Sequence, residues 1–245
     1  MVSSASNLSD VTAVILAGGQ GTRLRSVVDG KQKVIASVGG RPFLEYIFDE
    51  LIAAGVKNTI LCTGYHSEQL EELFGERYKN LSIIHSREPT PLGTAGAIRN
   101  SMQHISSKTA IVLNGDSIVK FDLNSFYGFH RDSAAKVSMA LFEAKDATRY
   151  GSVKLDLTTC RVEEFAEKKS TTEKAWINAG VYLIEKDLLN NIPPSKVVSL
   201  EKDIFPEWVS KEQFFGFPVT DGLFIDIGTP ESYGEANRIF SGGRA

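Results

Sequence analysis

An apolar run, Val14-Ile15-Leu16-Ala17, ends at three glycines within four residues, Gly18, Gly19 and Gly21, with Thr22, Arg23 and Leu24 directly behind them. No other stretch restricts the fold as much. The run reads as a buried strand, and glycine lets a backbone turn sharply and press against a ligand. Successive unblocked amides at such a turn make an anion-binding concavity, to which Arg23 adds a planar fork suited to phosphate. Two familiar phosphate loops are excluded. A dinucleotide fingerprint wants glycine where Leu24 stands and an acid about 20 residues further on, where Gly39-Gly40 stand. A Walker A loop wants Ser or Thr after Gly-Lys, but Gly30-Lys31 is followed by Gln32. A glycine-rich turn with no ligand stays open as the alternative.

Downstream of this turn the chain has the rhythm of an α/β protein. Pro42 to Ile52 repeats apolar residues at helical spacing and stops at Gly55, and Thr59–Thr63 is a short apolar strand. Ser67 is placed to cap a helix running to Gly75, and Leu81–His85 reads as the next strand. Strand, helix, strand, helix, strand predicts a mainly parallel sheet with helices on its faces. Pro89-Thr90-Pro91 makes a stiff turn, and Gly93-Thr94-Ala95-Gly96 opens a helix to about Ile105. Its small side chains either leave backbone amides open to a ligand or serve close packing.

Length and charge narrow the classes. A chain of 245 residues, 42% hydrophobic and 23% charged, suits one large α/β domain or two small ones. With a net charge of −3 and basic residues spread along the chain, no nucleic-acid surface is expected. No apolar run reaches the ~18 residues of a membrane span, and residues 1–10 lack the apolar segment of a signal peptide. Cys62 and Cys160 read as reduced thiols, so a cytoplasmic protein is expected. Residues 1–10 are expected to form a flexible extension and 11–242 a single domain.

Two carboxylates stand out. Asp116 ends the apolar strand Thr109–Leu113, where open α/β sheets place their ligands. It reads as a metal ligand or as a turn former. Asp226 lies inside Leu223-Phe224-Ile225-Asp226-Ile227, so it must be paired or metal-bound. A structural salt bridge is its alternative. Thr229 and Pro230 are placed to start a closing helix through Ile239. Strands are read at Val137–Phe142, Ser152–Leu157, Cys160–Phe165 and Trp176–Ile184, and a helix at Glu201–Val209. Asn178 is either a satisfied core amide or a contact to a polar ligand.

Taken in order, these motifs resemble one family. Leu16 to Leu24 followed by Lys33, then Pro91 to Ala97, Asn114-Gly115-Asp116, Glu167-Lys168, Asn178 to Tyr182 and Asp226 to Pro230 look like the signature of sugar-1-phosphate nucleotidyltransferases. Through Arg41 to Phe48 and the short length, the chain is most similar to the branch that acts on D-glycero-α-D-manno-heptose 1-phosphate with GTP, making GDP-heptose for bacterial surface polysaccharides. The resemblance implies a Rossmann-like, glycosyltransferase-A-type mixed sheet, with residues 11–130 binding nucleotide and 131–242 binding sugar phosphate. It implies that Leu16, Ala17, Gly18, Gly19, Gly21 and Thr22 bind the nucleotide, with the Gly18–Gly21 amides and Arg23 on the triphosphate, that Lys33 touches the α-phosphate, that Gly93 and Thr94 lie near the base, and that Arg23, Lys33 and Asp116 are catalytic. Asp116 and Asp226 would hold Mg²⁺. Lys168 would bind the sugar phosphate, with Gly151, Glu167 and Asn178 on sugar hydroxyls. A homo-oligomer is compatible with the family; nucleic acid and membrane are not expected partners.

There are departures. The family's lysine sits between prolines, whereas here Gln32 and Val34 flank Lys33, so Lys31 competes for the role; Lys169 likewise competes with Lys168. Mannose or another hexose 1-phosphate, or another base, is the alternative within the family. Outside enzymes, a nucleotide-sugar-binding regulatory protein is the alternative, against which Arg23, Lys33, Asp116, Lys168 and Asp226 argue.

Overall fold

The computed structural model describes residues 7–19, 21, 24, 31–64, 66–144, 147–166 and 174–242. The run before the glycine turn forms β1 (Thr12–Leu16). A small hairpin of β2 (Ser37–Val38) and β3 (Arg41–Pro42) leads into α1 (Phe43–Ala53), β4 (Asn58–Thr63) and α2 (Ser67–Phe74). Next come β5 (Arg77–Tyr78), β6 (Leu81–Arg87), α3 (Gly93–Ser101), β7 (Thr109–Asn114), β8 (Ser117–Lys120) and α4 (Leu123–Asp132). The second half holds β9 (Val137–Ala144), β10 (Ser152–Leu155), β11 (Val162–Ala166), β12 (Ala175–Glu185), α5 (Lys186–Leu189) and α6 (Phe205–Lys211). It closes with β13 (Phe214–Pro218), β14 (Leu223–Asp226) and α7 (Pro230–Phe240).

One sheet organises the molecule. Its order is β11-β10-β12-β7-β1-β4-β6-β5, with β9 beside β12 and β13 beside β9. β7, β1, β4 and β6 run parallel, and β12 lies antiparallel to β7, β9 and β10. The parallel strands are continuous apolar runs because helices cover both faces. Ala13 and Ile15 of β1 enter one apolar layer with Phe43, Phe48 and Phe126. Val14 enters the other, with Ile98, Phe205 and Trp208. The expected mixed, mainly parallel core is what forms. Among the described residues, no helix is long and apolar enough to cross a membrane.

Local expectations differ from the structure in a few places. Ser67 is the first residue of α2, and the cap position is His66, at φ 56°. The segment 201–209 is not one helix: a π-turn at Leu200–Ile204 precedes α6, whose first turn contains Pro206. Proline removes a backbone donor and is tolerated only in a first turn, so the α-helix begins beside it. β10 stops at Leu155 because Asp156 accepts the Thr158 amide at 2.8 Å and turns the chain. α7 starts as expected, with Thr229 and Ser232 in a reciprocal capping box.

Candidate active site

The carboxyl ends of β1, β4, β6 and β7 open onto a cleft of about 1060 Å³, whose wall includes Gly18, Gly19, Gly21, Lys33, Glu88 and Asp116. Such a volume is at the upper end for small-molecule sites. Gly21 sits at φ 56°, and a Cβ there would lie 3.1 Å from the Lys33 Cβ. The turn is thus glycine by necessity, and it lies against the lysine.

Charge is concentrated at one end. The Lys33 ammonium, on a side chain 10% exposed, donates to Asp116 Oδ2 at 2.6 Å. β14 pairs antiparallel with β8 so that Asp226 faces Ser117, and the Ile227 amide donates to the Asp116 carbonyl at 3.0 Å. The two aspartates are therefore carried on adjoining strand ends. Asp226 lies close to this pair: the point where a Gly228 Cβ would stand is 3.8 Å from Lys33 Nζ and 2.7 Å from Asp226 Oδ1. Asp226 is salt-bridged to Arg149 at 2.9 Å and accepts from the Tyr150 hydroxyl at 2.5 Å. Burial, reinforced by that carboxylate, pushes the Tyr150 phenol well above its usual range, so it remains a donor.

Glu88 joins Asp116 as a second carboxylate in the cleft wall, which does not include Asp226. Its Oε2 accepts the Leu92 amide at 2.8 Å, and burial raises its carboxyl above the usual range, with the Leu92 amide opposing. Behind it, Cys62 is fully buried, and burial pushes its thiol up to about 12, so it is a packing residue.

Of the residues singled out in the sequence, Leu16, Gly18, Gly19, Gly21, Lys33, Gly93, Thr94 and Asp116 line the cleft. Ala17 lies behind it, its amide bonded to the Cys62 carbonyl at 2.9 Å. Lys31 is exposed, so the structure brings Lys33, and not its neighbour, to Asp116. Gly151 and Asn178 are joined by an Asn178 N–H to Gly151 carbonyl bond of 2.8 Å. The Asn178 amide is also satisfied internally, accepting from Gly180 N and donating to the Tyr182 hydroxyl, both at 2.8 Å. Thr22, Arg23, Glu167 and Lys168, with the competitor Lys169, lie outside the described residues.

Two of the amides opening α3 are taken by the protein itself. Ala95 N and Gly96 N both donate to the Val198 carbonyl, at 3.0 and 3.2 Å. The Thr94 hydroxyl donates to Glu201 and accepts from Leu200 N, both at 2.8 Å. Segment 196–198 thus packs against Ala95 and Gly96, while Gly93 and Thr94 line the cleft. Glu88, Arg149 and Tyr150 escaped sequence reasoning. Glu88 carried a faint signal, a lone carboxylate at a strand's carboxyl end before Pro89.

Among the described residues, no group of three or more His, Cys, Asp or Glu side chains gathers as a cage for a metal ion. Two hard carboxylates at adjoining strand ends instead suit a cation that takes its remaining oxygens from phosphates and water.

The family described as Nucleotidyl transferase matches residues 12–241. A D-glycero-alpha-D-manno-heptose 1-phosphate guanylyltransferase of Aneurinibacillus thermoaerophilus is 38% identical, covering 92% of this chain and 96% of its own. A mannose-1-phosphate guanylyltransferase of Mycobacterium tuberculosis is 35% identical over 91% of this chain but 62% of its own length. The crystal structure of HddC from Yersinia pseudotuberculosis complexed with GMP-PN matches with a TM-score of 0.82 at 32% identity, over 94% of this chain and 99% of that one.

Proposed function

Since the chain belongs to the nucleotidyl transferase family, we propose that it transfers GMP from GTP to D-glycero-α-D-manno-heptose 1-phosphate, giving GDP-heptose and pyrophosphate. The observation that carries this is the Lys33–Asp116 pair lining the cleft, with Asp226 on the adjoining strand end. A relative named for that reaction aligns over 96% of its own length.

The reaction brings two anions together. An oxygen of the sugar phosphate attacks the α-phosphorus of GTP, a new P–O bond forms, and the bond to the bridging β-phosphate oxygen breaks in line. The attacking phosphate is already ionised at neutral pH, so no general base is required. Positioning and charge neutralisation supply the rate. The Gly18–Gly21 turn and Arg23 hold the triphosphate. Lys33 meets the α-phosphate as negative charge builds. Lys168 would bind the sugar phosphate and Gly151, Glu167 and Asn178 would take sugar hydroxyls, Asn178 through the capacity left by its bonds to Gly180 and Tyr182. Asp116 and Asp226 would hold Mg²⁺, whose charge would screen both anions and favour departure of pyrophosphate.

Glu88 fits the base. Guanine alone among the common bases offers adjacent N1–H and N2–H donors, which one carboxylate accepts together, and Oε1 of Glu88 has no hydrogen-bond partner among the described residues. Mannose 1-phosphate is a second reading, supported by the mycobacterial relative. A heptose exceeds a hexose by one hydroxymethyl group, a difference worth about 1–3 kcal/mol in a pocket. Steady-state kcat/KM for a panel of sugar 1-phosphates at fixed GTP and Mg²⁺ tests the proposal. The heptose 1-phosphate should lead; a lead for mannose 1-phosphate would transfer the assignment to it.

A further inference from the structure

Asp226 is fully occupied. Oδ1 accepts from Arg149 Nη2 at 2.9 Å, Gly228 N at 2.7 Å and Ser232 Oγ at 3.3 Å. Oδ2 accepts from Arg149 Nη2 at 3.0 Å and the Tyr150 hydroxyl at 2.5 Å. A carboxylate offers about four lone-pair sites. A divalent ion therefore reaches Asp226 only if a donor leaves.

The surroundings identify which one. The Gly228 amide is fixed by its own turn, and Ser232 is locked into the capping box of α7. The Tyr150 ring packs edge-on against Phe224 at 5.3 Å. Arg149 is different: its side chain is 43% exposed. Its hydrogen bonds among the described residues all run through Nη2, to Asp226 and to Ser232 Oγ at 3.4 Å. It is also the only charged donor of the set, so it and a divalent ion compete for the same oxygens. Asp116 shows the same arrangement, neutralised by Lys33 at 2.6 Å. Each aspartate thus has one basic side chain standing against it.

A released Arg149 has a destination. It precedes Gly151 by two residues, and the Gly151 carbonyl accepts from Asn178 N, the two residues assigned above to the sugar hydroxyls. Its Nε–H and Nη1 edge, which makes no hydrogen bond among the described residues, has the geometry of bidentate phosphate recognition. On the functional reading above, which this step presupposes, we infer that Arg149 is a displaceable counter-cation. It holds Asp226 while no divalent ion is bound, and turns to the phosphate of the sugar 1-phosphate when one takes its place. Arg149 then opposes metal binding and favours sugar-phosphate binding, which a purely structural salt bridge would not do.

The test uses the full chain without nucleotide, with Mn²⁺ as the probe read by electron paramagnetic resonance, alongside steady-state kinetics. Arg149→Gln should bind Mn²⁺ about three- to tenfold tighter, the scale of one partly exposed ion pair removed from competition. Its KM for the sugar 1-phosphate should rise about tenfold or more, with KM for GTP within about twofold. Arg149→Lys, which keeps the charge and loses the fork, should fall between on both measures; if Arg149→Gln does not fold, this variant carries the test. Mn²⁺ binding no tighter than in the unmodified chain, or an unchanged sugar KM, overturns the inference while a protein that turns over keeps the functional reading. An unmodified chain with no turnover on any sugar 1-phosphate overturns that reading and this inference together.

Discussion

Glu88 shows how much one side chain has to do in this cleft. It has no cation against it among the described residues, one oxygen is spent on Leu92 N, and burial raises its carboxyl. Glu88→Gln should lower kcat/KM for GTP by about 10- to 100-fold, the worth of a charged hydrogen bond, and narrow the gap to the other triphosphates; a four-triphosphate competition assay reads this. The same change bears on stability. A raised folded-state value means the native chain keeps a proton that the unfolded chain has already lost, so stability falls as pH rises through that window. Glu88→Gln should therefore raise Tm at about pH 7 and lose that gain at about pH 3, below the ordinary carboxylate range. Lys33→Ala should lower kcat by about 10²- to 10³-fold, the scale of losing one fixed charge at developing negative charge, with Lys31→Ala near neutral. The reverse result would place the α-phosphate contact on Lys31. Asp116 and Asp226 drew attention because a charge next to an apolar run is anomalous by itself, whereas Lys33 came only from the family resemblance. Arg149 and Tyr150 were not, since their meaning lies in a partner 77 and 76 residues away.

Among the elements, α3 is the most sensitive. Gly93 has φ 73°, and a Cβ there would lie 2.5 Å from the Val198 carbonyl that caps Ala95 and Gly96. Gly93→Ala should cost about 2 kcal/mol or more in urea unfolding, through left-handed strain and the displaced cap. A stability within about 0.5 kcal/mol of the unmodified chain would show that the segment yields freely. The parallel core was legible because β1, β4 and β7 are apolar runs between turn residues. β13 was not: Phe214 to Pro218 carries a glycine and a proline, and it pairs in parallel with β9, far away in sequence. No local pattern announces such a partner. α4 did have a signal that went unread, the Asp122 cap on Asn124 N and Ser125 N at 3.0 Å followed by buried Leu123, Phe126 and His130.

At the scale of the molecule, His130 ties the two halves of the chain together. It is 2% exposed on α4, with Nδ1 2.8 Å from Ser138 Oγ on β9 and Nε2 3.5 Å from Glu185 Oε1 on β12. Burial lowers its pKa, and Glu185 opposes the shift. A lowered folded-state value makes the unfolded chain bind the proton first, so stability present above the ordinary histidine value is lost as pH falls below it. His130→Gln should flatten the decline in Tm between about pH 6.5 and 5. An unchanged acid limb would assign that decline to the carboxylates.

The identity of the product bears most directly on what this cleft does. Incubated with GTP, D-glycero-α-D-manno-heptose 1-phosphate and Mg²⁺, the protein should give equal amounts of GDP-heptose and pyrophosphate by phosphorus NMR, with both substrates consumed together. Spectra that stay those of the two substrates, while GTP binding is measurable by calorimetry, would make this a nucleotide-binding protein without turnover and contradict the central claim.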